Sequence, residues 1–337
     1  MKFYIHLYLL LILFLPPKEL FSQNSNIEKA ISIFEKNYEE RLDDVHIEIN
    51  NDSLSGISEV KIVSGKLRTD NYPTIYHYNK ITKNVIVLIH GLSDSPYYLK
   101  DIAKRFVSDS ANVVLVLLPG HGLKDPDLAM EDDSLKTKWR KEVFNAVEVA
   151  GLLGRKISIG GFSTGGALSI DYILNNPKKI NGGLFLFSAA LGLGGWTEFN
   201  ASIPLVSSIV AKYNDGLYRG ESENPYKYPK VADYSGIHLV DIIKDIREKN
   251  SDVKVKLPIF IAHCKHDKTA KWENVNQFYS NNGTAKFLYE INDTLVKHGN
   301  LVLEKNIVNK GKIIVKKNPV FNEMMEQLIK FYRVNIK

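Results

Sequence analysis

Gly161, Phe162, Ser163, Thr164 and Gly165 spell G-x-S-x-G, directly after the apolar run Lys156–Gly160 and directly before Gly166, Ala167, Leu168 and Ile170. That placement fits a nucleophile on a sharp strand-to-helix turn. Side chains two positions to either side would collide with neighbouring backbone there, and glycine removes them. A serine hydroxyl is a weak nucleophile near neutral pH, so it needs a general base, commonly a histidine held by a carboxylate. Of the nine histidines, His298 lies late in the chain, in the loop 292–299 that follows the apolar run Ala285–Ile291. Asp267 lies one run earlier, just past Leu257–Ala262, in the segment His263, Cys264, Lys265, His266, Asp267. The order Ser163, Asp267, His298 makes these three the candidate nucleophile, orienting acid and base. Asp293 is the rival acid, but it shares the histidine's own loop.

Acyl transfer through such a serine develops an oxyanion that needs two backbone N–H donors, one just after the nucleophile and one from a loop on a neighbouring strand. Thr164 supplies the first. His90, Gly91 and Leu92 follow the run Asn84–Ile89, and Leu92 supplies the second. His90 reads as a structural hydrogen-bonding residue, as does His121 in the turn Pro119–Gly122. His263 and His266 flank Asp267 without the carboxylates or cysteines that would complete a metal site, so no metal is expected. Cys264 is the only cysteine, which excludes a disulfide framework and any paired-cysteine zinc site.

These residues need elements to hold them. Asn84–Ile89, Asn112–Leu118, Lys156–Gly160, Gly182–Phe187, Leu257–Ala262 and Ala285–Ile291 read as buried strands. They alternate with helical patterns over Pro96–Ser108, over Ser134–Leu153 with Trp139, Val143, Ala146 and Ala150 on one stripe, and from Thr164 onward. A last helix carries Val320, Met324, Leu328 and Phe331. Strand and helix in alternation predict an α/β protein with a doubly wound, mostly parallel sheet. Ile27, Ile31, Phe34 and Tyr38 recur at helical spacing and predict a helix ahead of this body. Between Ser188 and Leu257 the rhythm breaks. That excursion holds Leu191, Leu193, Trp196, Phe199, Ile203, Ile209, Tyr213, Tyr218, Tyr226 and Tyr228, too apolar for a solvated linker, and a lid over about 190–256 is expected, with an ordinary helical packing segment as the alternative.

At the N-terminus, Lys2 precedes an apolar run, Phe3–Leu15, then Pro16, Pro17 and a polar stretch. This reads as a signal peptide over 1–23, followed by a lead-in at 24–59 and the main domain at 60–337. Export is therefore expected, with an uncleaved anchor as the alternative. The chain has 337 residues, 44% hydrophobic and 24% charged, enough for a sizeable core. The formal charge of +6 comes with no basic block, so nucleic acid is not an expected partner. Association with a membrane surface stays open, and the oligomeric state leaves no mark in the sequence.

Ile89–Pro96 (IHGLSDSP), Leu118–Gly122 (LPGHG) and Gly161–Ala167 (GFSTGGA), in this order, resemble the α/β-hydrolase superfamily. The likeness is to its serine hydrolase branch of carboxylesterases, monoacylglycerol lipases and serine aminopeptidases, and it runs from about Ile75 to the C-terminus. The resemblance implies an eight-stranded, mostly parallel sheet, a lid inserted after the sixth strand, and neither metal nor organic cofactor. Against that pattern this chain is lengthened at Glu304–Pro319. The expected activity is hydrolysis of a small or lipid-like carboxylic ester through an acyl-enzyme on Ser163. Two other readings stand beside it: an aminopeptidase gripping a free amine with Glu198, Glu221 or Glu223, and a non-catalytic binding protein on the same fold.

Overall fold

The short apolar runs become strands of one sheet. The computed structural model describes residues 17–194, 223–229 and 233–337. Its strands are β1 (His46–Asp52), β2 (Ile57–Val63), β3 (Thr74–His77), β4 (Thr82–Ile89), β5 (Asn112–Val116), β6 (Gly154–Phe162), β7 (Leu184–Phe187), β8 (Ile259–Cys264) and β9 (Lys286–Ile291). They pair in the order β1-β2-β3-β5-β4-β6-β7-β8-β9. Pairing is antiparallel from β1 through β3 to β5, and parallel across the rest. β5, β7 and β8 are buried along their whole length, which is why they read as continuous apolar runs rather than alternating ones.

Helices cover both faces. One face carries α1 (Pro17–Glu39), α4 (Leu135–Leu153), α5 (Thr164–Asn175), α6 (Asp233–Asp252) and α7 (Trp272–Asn281), around a core that includes Phe34, Tyr38, Trp139 and Ile243. The short α3 (Asp127–Met130) precedes α4. The other face carries α2 (Lys100–Ser108), entered through a 3-10 turn at Pro96–Leu99, and the terminal α8 (Phe321–Asn335). Phe106, Phe185, Phe260 and Tyr332 fill that second layer. Because β5 lies on one side of β4 and β6 on the other, the winding direction reverses at β4. In a doubly wound sheet, the carboxyl ends of strands at such a reversal open a crevice.

The sheet and the excursion differ from the expectations. The sheet has nine strands among the described residues rather than eight, because β1 adds to the β2 edge. β1 is mostly exposed and polar, so it carries no apolar alternation to read. With β1 counted, the long excursion follows the seventh strand. Residues 195–222 and 230–232 of that excursion, with Trp196, Phe199, Ile203, Ile209, Tyr213 and Tyr218, lie outside the described residues. Its later part, 233–252, is α6, which packs on α5 and α4 through Leu239, Val240, Ile242, Ile243 and Ile246. That helix packs on the helical layer beside the sheet. The extra length at Glu304–Pro319 folds as a hairpin, β10 (Ile307–Asn309) with β11 (Lys312–Val315).

Candidate active site

The turn at Ser163 is built by exclusion of side chains. Ser163 sits between β6 and α5 at φ 52° and ψ −113°, a left-handed conformation that a non-glycine residue rarely adopts. The neighbours over-determine it: the Ser163 N–H donates to Phe187 O at 3.0 Å, and its carbonyl accepts from Ala190 N at 3.0 Å. A Cβ at Gly161 would run into the Ile89 carbonyl oxygen and the Gly165 backbone, and a Cβ at Gly165 would overlap the Ile89 carbonyl. Glycine at both positions lets β6, α5 and the end of β4 meet backbone to backbone.

The same crossing brings the base and acid to the serine. His298 opens a short 3-10 turn after β9, and its Nε2 lies 2.9 Å from Ser163 Oγ. Its Nδ1 lies 2.7 Å from Asp267 Oδ2. A carboxylate at Nδ1 calls for the proton there, which leaves Nε2 to accept from the serine hydroxyl. The Asp267 side chain is buried, and its Oδ1 accepts from Thr269 N at 2.8 Å and Ala270 N at 3.0 Å. Burial pushes its pKa up, but the hydrogen bonds from His298 and from those amides outweigh burial and hold the carboxyl below its ordinary range. The Phe162 ring, 5.0 Å from that of His298, backs the imidazole. Asp293 is occupied elsewhere, its Oδ1 accepting from Leu295 N at 2.8 Å within its own turn.

Parallel register places the second donor loop. Ile89 on β4 pairs with Gly161 on β6, so Gly91 and Leu92 leave the sheet beside the serine turn. Thr164 is the first residue of α5, where an N–H has no partner within the helix. Leu92 N and Thr164 N are both absent from the hydrogen bonds formed by the described backbone. His90 ties this loop down: Nδ1 donates to Gly91 O at 2.8 Å and Nε2 accepts from Leu118 N at 3.1 Å. Burial holds His90 well below the usual histidine pKa. His121 packs against it at 4.9 Å and donates from Nδ1 to Pro119 O at 3.1 Å. His263, buried beside the acid loop, packs on Trp272 at 5.6 Å.

Sequence reasoning missed a strap over this loop. Residues 223–229, midway through the excursion, lie along the segment that follows Leu92. Tyr228 N donates to Ser93 O at 2.9 Å, and Asn224 Nδ2 donates to Tyr98 Oη at 2.8 Å. The Tyr226 ring stacks on Tyr97 with centroids 3.4 Å apart. The tyrosines were legible as apolar residues, but nothing local in the sequence says which loop they meet.

The model of the serine aminopeptidase family S33 matches residues 80–226. Acyl-protein thioesterase 1 of Cryptococcus neoformans is 29% identical over 150 residues, covering 38% of this chain. The chain spans 60% of the length of that curated relative. Among solved structures, one from work on the metagenome-derived lipolytic enzymes LipS and LipT aligns with a TM-score of 0.59 at 18% identity, over 75% of this chain and 95% of the other. The monoacylglycerol lipase of Paleococcus ferrophilus aligns with a TM-score of 0.55 at 17% identity, over 74% of this chain and 93% of the other. At such identities the likeness is one of fold.

Proposed function

We propose that the chain is a serine hydrolase of the α/β-hydrolase superfamily that cleaves carboxylic esters through an acyl-enzyme on Ser163. One observation carries the reading: the unbroken path from Ser163 Oγ through the His298 ring to Asp267, at 2.9 and 2.7 Å, on a strained turn. His298 Nε2 takes the hydroxyl proton as Oγ attacks the ester carbonyl, and Asp267 holds the ring as it becomes charged. The carbonyl oxygen, now anionic, accepts from the N–H groups of Leu92 and Thr164. His298 then returns the proton to the leaving alcohol, and water repeats the cycle on the acyl-enzyme.

A thioesterase among the relatives supports acyl transfer in general, and the apolar residues of the excursion support a hydrophobic acyl group. Export through the segment 1–23 belongs to this reading on the strength of the apolar run Phe3–Leu15. Fractionating cells that make the full chain tests it, and an unprocessed cytosolic product would sink it. The family description favours a second reading, release of an N-terminal amino acid, with Glu223 as the amine-binding carboxylate within the described residues.

Rates on p-nitrophenyl esters of increasing acyl length, set against aminoacyl p-nitroanilides, separate the two. The ester reading expects turnover of esters with anilides near background. The reverse order would replace it with the peptidase.

A further inference from the structure

Two residues after the proposed oxyanion donor Leu92 stands a buried carboxylate that the ester mechanism does not use. The Asp94 side chain is 1% exposed, and Oδ1 meets Lys227 Nζ at 2.5 Å. Its Oδ2 lies against the α-carbon of Gly91, so close that a Cβ there would collide with it. Gly91 therefore makes room for a charge, not for an unusual φ. The loop closes as a tight turn, with Asp94 N donating to Gly91 O at 3.2 Å and Ser93 held at φ 62°. Lys227 comes from the strap, 133 residues away in sequence, and its neighbour Tyr228 bonds the Ser93 carbonyl at 2.9 Å. Its ammonium also lies 5.8 Å from the ring of Tyr98.

We infer that the Asp94–Lys227 pair is a positioning device for the oxyanion loop, through which the strap sets the geometry and the charge felt at the Leu92 amide. The inference rests on the ester-hydrolase reading. The physical reason is twofold. A tight turn with a left-handed serine keeps its shape only if its surroundings over-determine it, and here the strap does so. A lone carboxylate packed against Gly91, in the loop that carries Leu92, would also oppose a negative charge developing there, and in a buried setting that opposition is weakly screened. Lys227 cancels it. The sequence hides the arrangement because the two residues stand 133 positions apart.

The two roles predict an order of effects. Lys227→Met leaves the carboxylate unneutralised and lowers kcat on a p-nitrophenyl ester by about 10- to 100-fold, below the loss from removing one oxyanion donor outright, with KM little changed. Asp94→Asn removes the charge with the pair and is milder. Adding Asp94→Asn to Lys227→Met recovers part of kcat, and Lys227→Arg keeps most of it. A merely structural pair would lower thermal stability without this order in kcat. Wild-type kcat in folded Lys227→Met, or a loss confined to KM, overturns the inference. If Lys227→Met does not fold, Asp94→Asn and Lys227→Arg carry the comparison, and equal kcat in all three folded proteins overturns it as well. Should the wild type hydrolyse no ester in a Ser163-dependent way, the ester reading has failed by itself. Hydrogen exchange at the amides of Leu92 to Ser95 then decides the positioning: faster exchange in the Lys227 or Asp94 variant supports it, and unchanged exchange overturns it.

Discussion

The carbonyl oxygen of Ile89 occupies the space that a Cβ on Gly165 would need. Two strands and a helix meet at that point, and the left-handed Ser163 is held where backbone touches backbone. Gly165→Ala must push β4 away from α5. We expect a loss of roughly 2 kcal/mol or more in stability and abolished ester hydrolysis, read by thermal unfolding and by turnover. Unchanged stability with unchanged turnover would show that the contact is looser than described.

Asp267→Asn keeps the shape of the acid but exchanges its acceptor for an amide that can donate to His298 Nδ1, favouring the wrong tautomer. A fall in kcat of about 10³- to 10⁴-fold is expected, with KM little changed. A fall below tenfold in the folded variant would move the orienting role to another group.

Three buried histidines predict acid sensitivity. Burial lowers His77 and His121 to about 4, and it holds His90 well below its ordinary value. In the unfolded chain each binds a proton near pH 6.5, so below that pH the unfolded state takes up protons that the folded state refuses. Stability is fully present above about pH 6.5 and falls as pH drops toward 4, by roughly 3 kcal/mol for His121 alone. Unfolding midpoints measured across that range should decline steadily. A flat profile between pH 6.5 and 4.5 would contradict the assignment of buried neutral imidazoles.

Arg140 on α4 joins three helices. It donates to Asp171 Oδ2 at 2.9 Å and Oδ1 at 2.6 Å on α5, and to Asp245 Oδ2 at 2.6 Å on α6. Asp171 is buried, so Arg140→Ala strands a carboxylate inside the layer and should cost about 2 kcal/mol or more. Lys at this position cannot make the two-pronged contact and should recover only part of that loss. Chemical denaturation of both variants checks the ranking, and an unaffected Arg140→Ala would mean that water or Lys136 serves Asp171 equally well.

What the sequence revealed and what it concealed follow from range. The turn at Ser163 was legible because Gly161 and Gly165 state a backbone requirement within five residues, and Asn112–Val116 was legible because full burial demands an unbroken apolar run. His298 and Asp267 could be paired by chain order, since the ends of parallel strands converge. β1 could not be read, because His46–Asp52 is an exposed, polar edge strand. Over 233–252 the sequence left lid and packing helix side by side, because residues that bury a helix on α5 look the same in sequence as residues that would line a lid. The Asp94–Lys227 pair left no trace, since only the folded chain brings residues 133 positions apart together.

The central claim is that Ser163 is an activated nucleophile, and labelling with a fluorophosphonate followed by peptide mass spectrometry tests it most directly. The account predicts a single adduct on the peptide that contains Ser163, absent in Ser163→Ala and greatly slowed in His298→Ala. An unlabelled wild-type chain, or an adduct on a different serine, would contradict it.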